Sequence, residues 1–153
     1  MPAAPARRRH RAAERLGTRL VWGLLFVLPA AVLATAVALT PDPAGHGTHT
    51  QLGLPPCGFI VFLGVPCPGC GLTTAFSHMV RLDLPGAFGA NPFGVLLFLV
   101  TVASLPVSVV GAIRALPVVD TLERLQLDRV LMVLAIASMV TWLARLAVIF
   151  LGS

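Results

Sequence analysis

Every cysteine of this chain lies in one short segment: Cys57, Cys67 and Cys70. Cys67-Pro68-Gly69-Cys70-Gly71 holds two thiols three residues apart. Thiolates are nucleophiles, disulfide partners and soft-metal ligands, so three chemistries are open. In the first, Pro68, Gly69 and Gly71 shape a tight turn whose thiols pack or form a structural disulfide. In the second, Cys67 and Cys70 cycle between dithiol and disulfide, with Cys57 as exchange partner. That reading lacks the βαβ context of a thioredoxin-like motif. In the third, Cys57, Cys67 and Cys70 are three thiolates of a metal knuckle, and zinc calls for a fourth ligand. His46 or His49, three residues apart in a Gly-rich loop, would reach more easily than His78. On one helix, eight residues separate His78 from Cys70 by about 12 Å. Solvated loop histidines are the plainer account of His46 and His49, and lipidation is a further use for a thiol. The expectation favours a structural turn, with no cofactor assigned and zinc as the metal alternative.

Few other residues offer chemistry. Arg145 interrupts an apolar run, where an arginine costs about 2.5–3.5 kcal/mol on insertion scales. Snorkelling toward the interface is one account; stabilising a thiolate or binding an anion is the other. Asp83 stands before Pro85-Gly86 and is expected to cap a turn. No carboxylate pair, Ser-His-Asp set or phosphate-cradling glycine loop is present, so hydrolase and nucleotide-dependent readings lack support.

The elements that must position these residues are membrane-like. The 153 residues are 57% hydrophobic and 11% charged, with mean hydropathy +0.91. Soluble domains carry about 25% charged residues, so lipid must cover the apolar excess. The +5 charge sits in the tail, where Arg7, Arg8, Arg9, Arg11, Arg15 and Arg19 face only Glu14. A basic tail beside an apolar run is a cytoplasmic signal, and with no interleaved motif it predicts no nucleic-acid partner. Arginine without lysine, amid abundant Ala, Gly, Pro and Val, hints at a GC-rich bacterial genome.

Residues 1–19 read as a disordered cytoplasmic tail and 20–153 as one membrane domain. Spans are expected at about 20–39, 93–113 and 129–151, with the cysteine segment at 57–90. Twenty helical residues rise about 30 Å, the hydrocarbon thickness. A signal peptide cleaved near Ala34-Thr35-Ala36 or Ala36-Val37-Ala38 is the alternative for the first run, which is longer than a usual signal core. Asn91 as cap and Pro92 at the first turn start the second span. A fourth span over 58–80 is disfavoured by Gly64, Pro66, Pro68, Gly69 and Gly71. It would also move Arg114, Arg124 and Arg129 outside, whereas three spans leave only Arg81 in an outer loop.

Cys67-Pro68-Gly69-Cys70-Gly71-Leu72-Thr73, then Ala75, Asp83 and Asn91-Pro92, resembles domain of unknown function 2752, a family of small bacterial membrane proteins. The resemblance runs from Cys57 through the second span. Two positions depart from the family's usual pattern: Thr74 stands where an Arg is typical, and Leu82 where Gly is frequent. The resemblance implies a multi-span membrane protein and supplies no activity.

The expectation is an all-α integral membrane helical bundle of three transmembrane helices. A short re-entrant or interfacial helical segment would hold the cysteines at the outer face of a bacterial inner membrane. Its partners would be the lipid bilayer and a membrane protein or second copy, making it a scaffold or partner-binding component. Close helix approach is expected at Gly23, Gly94 and Gly111. The rival is a membrane thiol–disulfide oxidoreductase.

Overall fold

The computed structural model describes residues 4–151, with side chains from Ala13 onward. Among these residues the chain is helical, without strands. Helix α1 is Ala4–Ala38, α2 Gly58–Leu63, α3 Leu72–Met79, α4 Leu84–Ala90, α5 Pro92–Arg114, α6 Val118–Arg124 and α7 Leu127–Leu151. A 3₁₀ turn covers Thr48–Leu52. Three stretches are long and apolar enough to cross a membrane: Ala13–Ala38, Pro92–Arg114 and Leu127–Leu151. They coincide with the three expected spans.

One local expectation changes. Helix runs from Ala4 through the arginine-rich stretch that read as a disordered tail. Alanine, arginine, leucine and glutamate are all good helix formers, so that composition favours the helix. As expected, the apolar stretch 58–80 is not a fourth span among the described residues. It breaks into α2 and α3, because Gly64 (φ 68°) and Gly71 (φ 86°) adopt left-handed backbone that ends helical repeats.

The chain forms two compact units, Met1–Ala31 with Thr101–Asp128, and Val32–Val100 with Arg129–Ser153. In the first, Trp22 is buried on Gly111, where any Cβ would collide with the indole ring. Trp22 Nε1 donates to Leu116 O at 2.8 Å, giving the buried N–H its partner. Ser108 Oγ donates to Ser104 O at 2.9 Å, within its own helix. Gly111 therefore serves close approach as expected. Gly23 does not, since a Cβ there would meet nothing within 4 Å.

In the second unit, α3 packs on the start of α5. A Cβ at Gly94 would lie 2.7 Å from that of Ala75, so this glycine does serve close approach. Phe76 and Phe98 meet edge to face at 5.3 Å between centroids, beside a core of Met79, Ala87 and Val95. Arg81 closes the end of α1: its guanidinium donates to Leu39 O at 2.8 Å and Val37 O at 3.2 Å. A cation on the orphan carbonyls of a helix C-terminus satisfies both their hydrogen bonds and the helix dipole. Ser77 Oγ adds a bond to Leu39 O at 2.7 Å.

Candidate metal and thiol site

The site is assembled within this second unit from three segments. Pro55 and Pro56 lead into Cys57, which precedes α2. The motif Cys67–Cys70 is a reverse turn, with Cys70 N donating to Cys67 O at 3.0 Å. Gly71 then starts α3 with φ 86°. A Cβ on Gly71 would lie 2.5 Å from Ala90 O and 2.7 Å from Gly45 O, so only glycine fits both the conformation and the space.

Two donors lock the turn from outside. The Cys70 carbonyl accepts from Asn91 Nδ2 at 3.0 Å and from Arg145 Nη1 at 2.7 Å. Asn91 is fully buried, and its Oδ1 accepts from Gly94 N at 3.2 Å, which is the expected cap of α5. Arg145 reaches the cysteine segment from α7, and its guanidinium donates to the Cys70 carbonyl. Three residues earlier on α7, Trp142 Nε1 donates to Pro66 O at 2.8 Å.

The three cysteines are free thiols whose sulfurs all lie within 4.8 Å of one another. They line a cavity of about 270 Å³ together with His46, His49 and Thr73. Cys57 and Cys70 titrate in opposite directions. Burial pushes Cys57 up, but bonds from the Ile60 amide, the Cys70 and Cys67 thiols and the Phe59 amide outweigh it and hold the thiol at about 7. Burial, then the hydrogen bond to Cys57, raises Cys70 to about 12. At Cys70 burial therefore outweighs the pull of the α3 N-terminus. Cys70 is 95% buried, which favours its protonated form.

Three thiols at this spacing can hold a metal ion. Zinc–sulfur bonds of about 2.3 Å place tetrahedral thiolates about 3.8 Å apart. The sulfurs here lie within 4.8 Å of one another, about 1 Å beyond that spacing at most. His46 and His49 border the cavity but lie outside this group of mutually close ligand atoms. His49 Nε2 bonds Pro55 O at 3.1 Å; a carbonyl only accepts, so Nε2 carries the proton. His78 points elsewhere: its Nδ1 donates to Asp83 Oδ2 at 2.7 Å. Asp83 caps α4, as expected, through Oδ1 and Gly86 N at 3.0 Å. Pro92 opens α5 and takes no part in the cavity.

Several residues that hold the site carried no recognised signal in the sequence. Thr74 and Thr48 are fully buried and share a hydroxyl–hydroxyl bond of 2.8 Å, which ties the histidine loop to α3. Trp142 had a usable signal: an indole N–H in an apolar run must find an acceptor.

Residues 57–105 match the family described as Protein of unknown function (DUF2752), which supports the resemblance drawn from the Cys67–Pro92 spacing. No curated protein and no solved structure matches the chain.

Proposed function

We propose that this membrane protein binds a soft divalent metal ion, of the zinc class, through Cys57, Cys67 and Cys70. One observation carries the reading: three free sulfurs from two separate segments converge within 4.8 Å beside an open cavity. A turn kept only for its shape has no need of Cys57, which lies ten residues away and joins the cluster through tertiary packing. The fourth position would be taken from the cavity side, by His46, His49, water or a ligand. Metal sites with three protein ligands leave such a position free. The arginine distribution supports a cytoplasmic N-terminus, with the site near the outer face of a bacterial plasma membrane.

The test is metal titration of the reduced protein in detergent micelles, read by native mass spectrometry and by cobalt–thiolate absorption. One equivalent should bind, and Cys57→Ser, Cys67→Ser and Cys70→Ser should each weaken it. Failure to retain zinc or cobalt with all three thiols reduced would refute the reading.

A second reading, thiol–disulfide exchange, is favoured by the Cys57 thiol at about 7. The Cys57 thiolate would attack a disulfide of a substrate protein, forming a mixed disulfide and releasing one substrate thiolate. The neighbouring Cys67, as its thiolate, would displace the other, leaving this chain oxidised and the substrate reduced. Trapped mixed disulfides in a Cys67→Ser, Cys70→Ser variant would favour exchange over metal binding.

A further inference from the structure

The segment that carries the thiols has the surface of a membrane-inserted element. From Pro43 to Val80 no Asp, Glu, Lys or Arg occurs, although 38 residues of an ordinary domain would hold about nine. Helix α2, Gly58–Leu63, exposes its apolar side chains instead of burying them: Phe62 is 85% exposed, Leu63 64% and Val61 59%. Six residues are too short to cross a membrane, so whatever covers α2 must do so from beside it.

Its depth can be read from α7. The turn following α2 is fixed to that helix by the Trp142–Pro66 and Arg145–Cys70 bonds. Trp142 lies nine residues before Leu151 and Arg145 six, or about 13 Å and 9 Å along the axis. The 25 residues of α7 rise about 37 Å, which exceeds the hydrocarbon core by about 4 Å at each end. Both attachment points therefore fall below the hydrocarbon boundary. Helical Cα–Cβ bonds tilt toward the N-terminus, which directs both side chains further from the Leu151 end.

From these observations we infer that α2 is a half-membrane element whose exposed face is covered by phospholipid acyl chains. Lipid fits better than a second copy, because the segment from Pro43 to Val80 offers no charged side chain for the rim that borders protein interfaces. The turn that follows α2 is also bonded to α7, a helix long and apolar enough to cross a membrane. Cys57 and Ile60 of this segment line the sulfur cavity. Backbone at that depth must be internally bonded. The donors from α7 and Asn91 to Pro66 O and Cys70 O meet that requirement. The inference is independent of metal binding.

The experiment is photocrosslinking of the full chain in phosphatidylcholine vesicles containing a phospholipid with an acyl-chain diazirine. Adducts mapped by mass spectrometry should appear on Phe59, Val61, Phe62 and Leu63 at yields comparable to Val133, Ile136 and Val140 of α7. Adducts on α7 with none on α2 would overturn the inference. So would photo-leucine at position 63 joining a second copy of the chain rather than lipid.

Discussion

The two donors on the Cys70 carbonyl should show strong non-additivity when removed. Asn91→Ala deletes the α5 cap, a loss of about 1 kcal/mol, but leaves Arg145 on the carbonyl. The expected destabilisation is about 1–2 kcal/mol. Arg145→Leu removes a charge-assisted bond of about 1.5–3 kcal/mol. It also removes a cation from a span, which recovers about 2.5–3.5 kcal/mol on insertion scales. These offset, so the single variant should unfold close to the parent. In the double variant the carbonyl of a residue only 5% exposed loses both donors. An unsatisfied buried acceptor then adds about 1–3 kcal/mol beyond the sum of the singles. Urea or dodecyl-sulfate unfolding in mixed micelles, followed by far-ultraviolet circular dichroism, measures the cycle. Additivity within about 0.5 kcal/mol would refute the shared-carbonyl reasoning.

Gly111→Val should destabilise by more than about 2 kcal/mol, the scale of an overpacked core, because the buried indole of Trp22 occupies the space and is held by Leu116 O; thermal unfolding in micelles checks it, and Gly23→Val should be near neutral. Gly71→Ala should lose about 1–2 kcal/mol from left-handed backbone alone and more from contact with Ala90 O and Gly45 O, and should also lower cobalt affinity by displacing Cys70. Asp83 has its carboxyl held below the usual range, first by the Gly86 amide and then by His78. Its contribution is therefore present above about pH 4 and is lost as pH falls through the depressed value. Denaturation between pH 6 and 2 should show an acid limb that Asp83→Ala reduces; an unchanged limb would exclude Asp83 as its source.

The spans were legible because a run of apolar residues about 30 Å long has one physical solution in lipid. The caps were legible too: Asn91 before Pro92, and Asp83 before Pro85-Gly86, are local patterns satisfied within three residues. Gly64 and Gly71 also stood out as interruptions, and their positive φ angles explain why α2 and α3 do not fuse. What escaped was everything set by packing across sequence distance. Thr48 and Thr74 are 26 positions apart, and Arg145 is 75 from Cys70; neither pairing leaves a mark in local spacing. The balance among the thiols is likewise set across sequence distance. A helix N-terminus favours ionising Cys70, but its burial, a tertiary property, outweighs that and raises its thiol, while local hydrogen bonds lower that of Cys57.

The same cross-chain contacts explain how an apolar segment can hold a polar site. With no charged residue between Asp42 and Arg81, the segment cannot satisfy its exposed turns by ion pairing within itself. Its backbone acceptors are instead served by groups imported from neighbouring helices: Trp142 and Arg145 from α7, and Asn91 at the head of α5. Buried carbonyls without such partners would be costly at this depth. Arg145 is therefore best understood first as a carbonyl donor that fixes the cysteine turn. Any influence on thiolate charge follows from that placement. This ordering is testable: Arg145→Gln can still donate a hydrogen bond but carries no charge, and should preserve most of the cobalt affinity that Arg145→Leu loses. Equal losses in the two variants would instead assign Arg145 an electrostatic role.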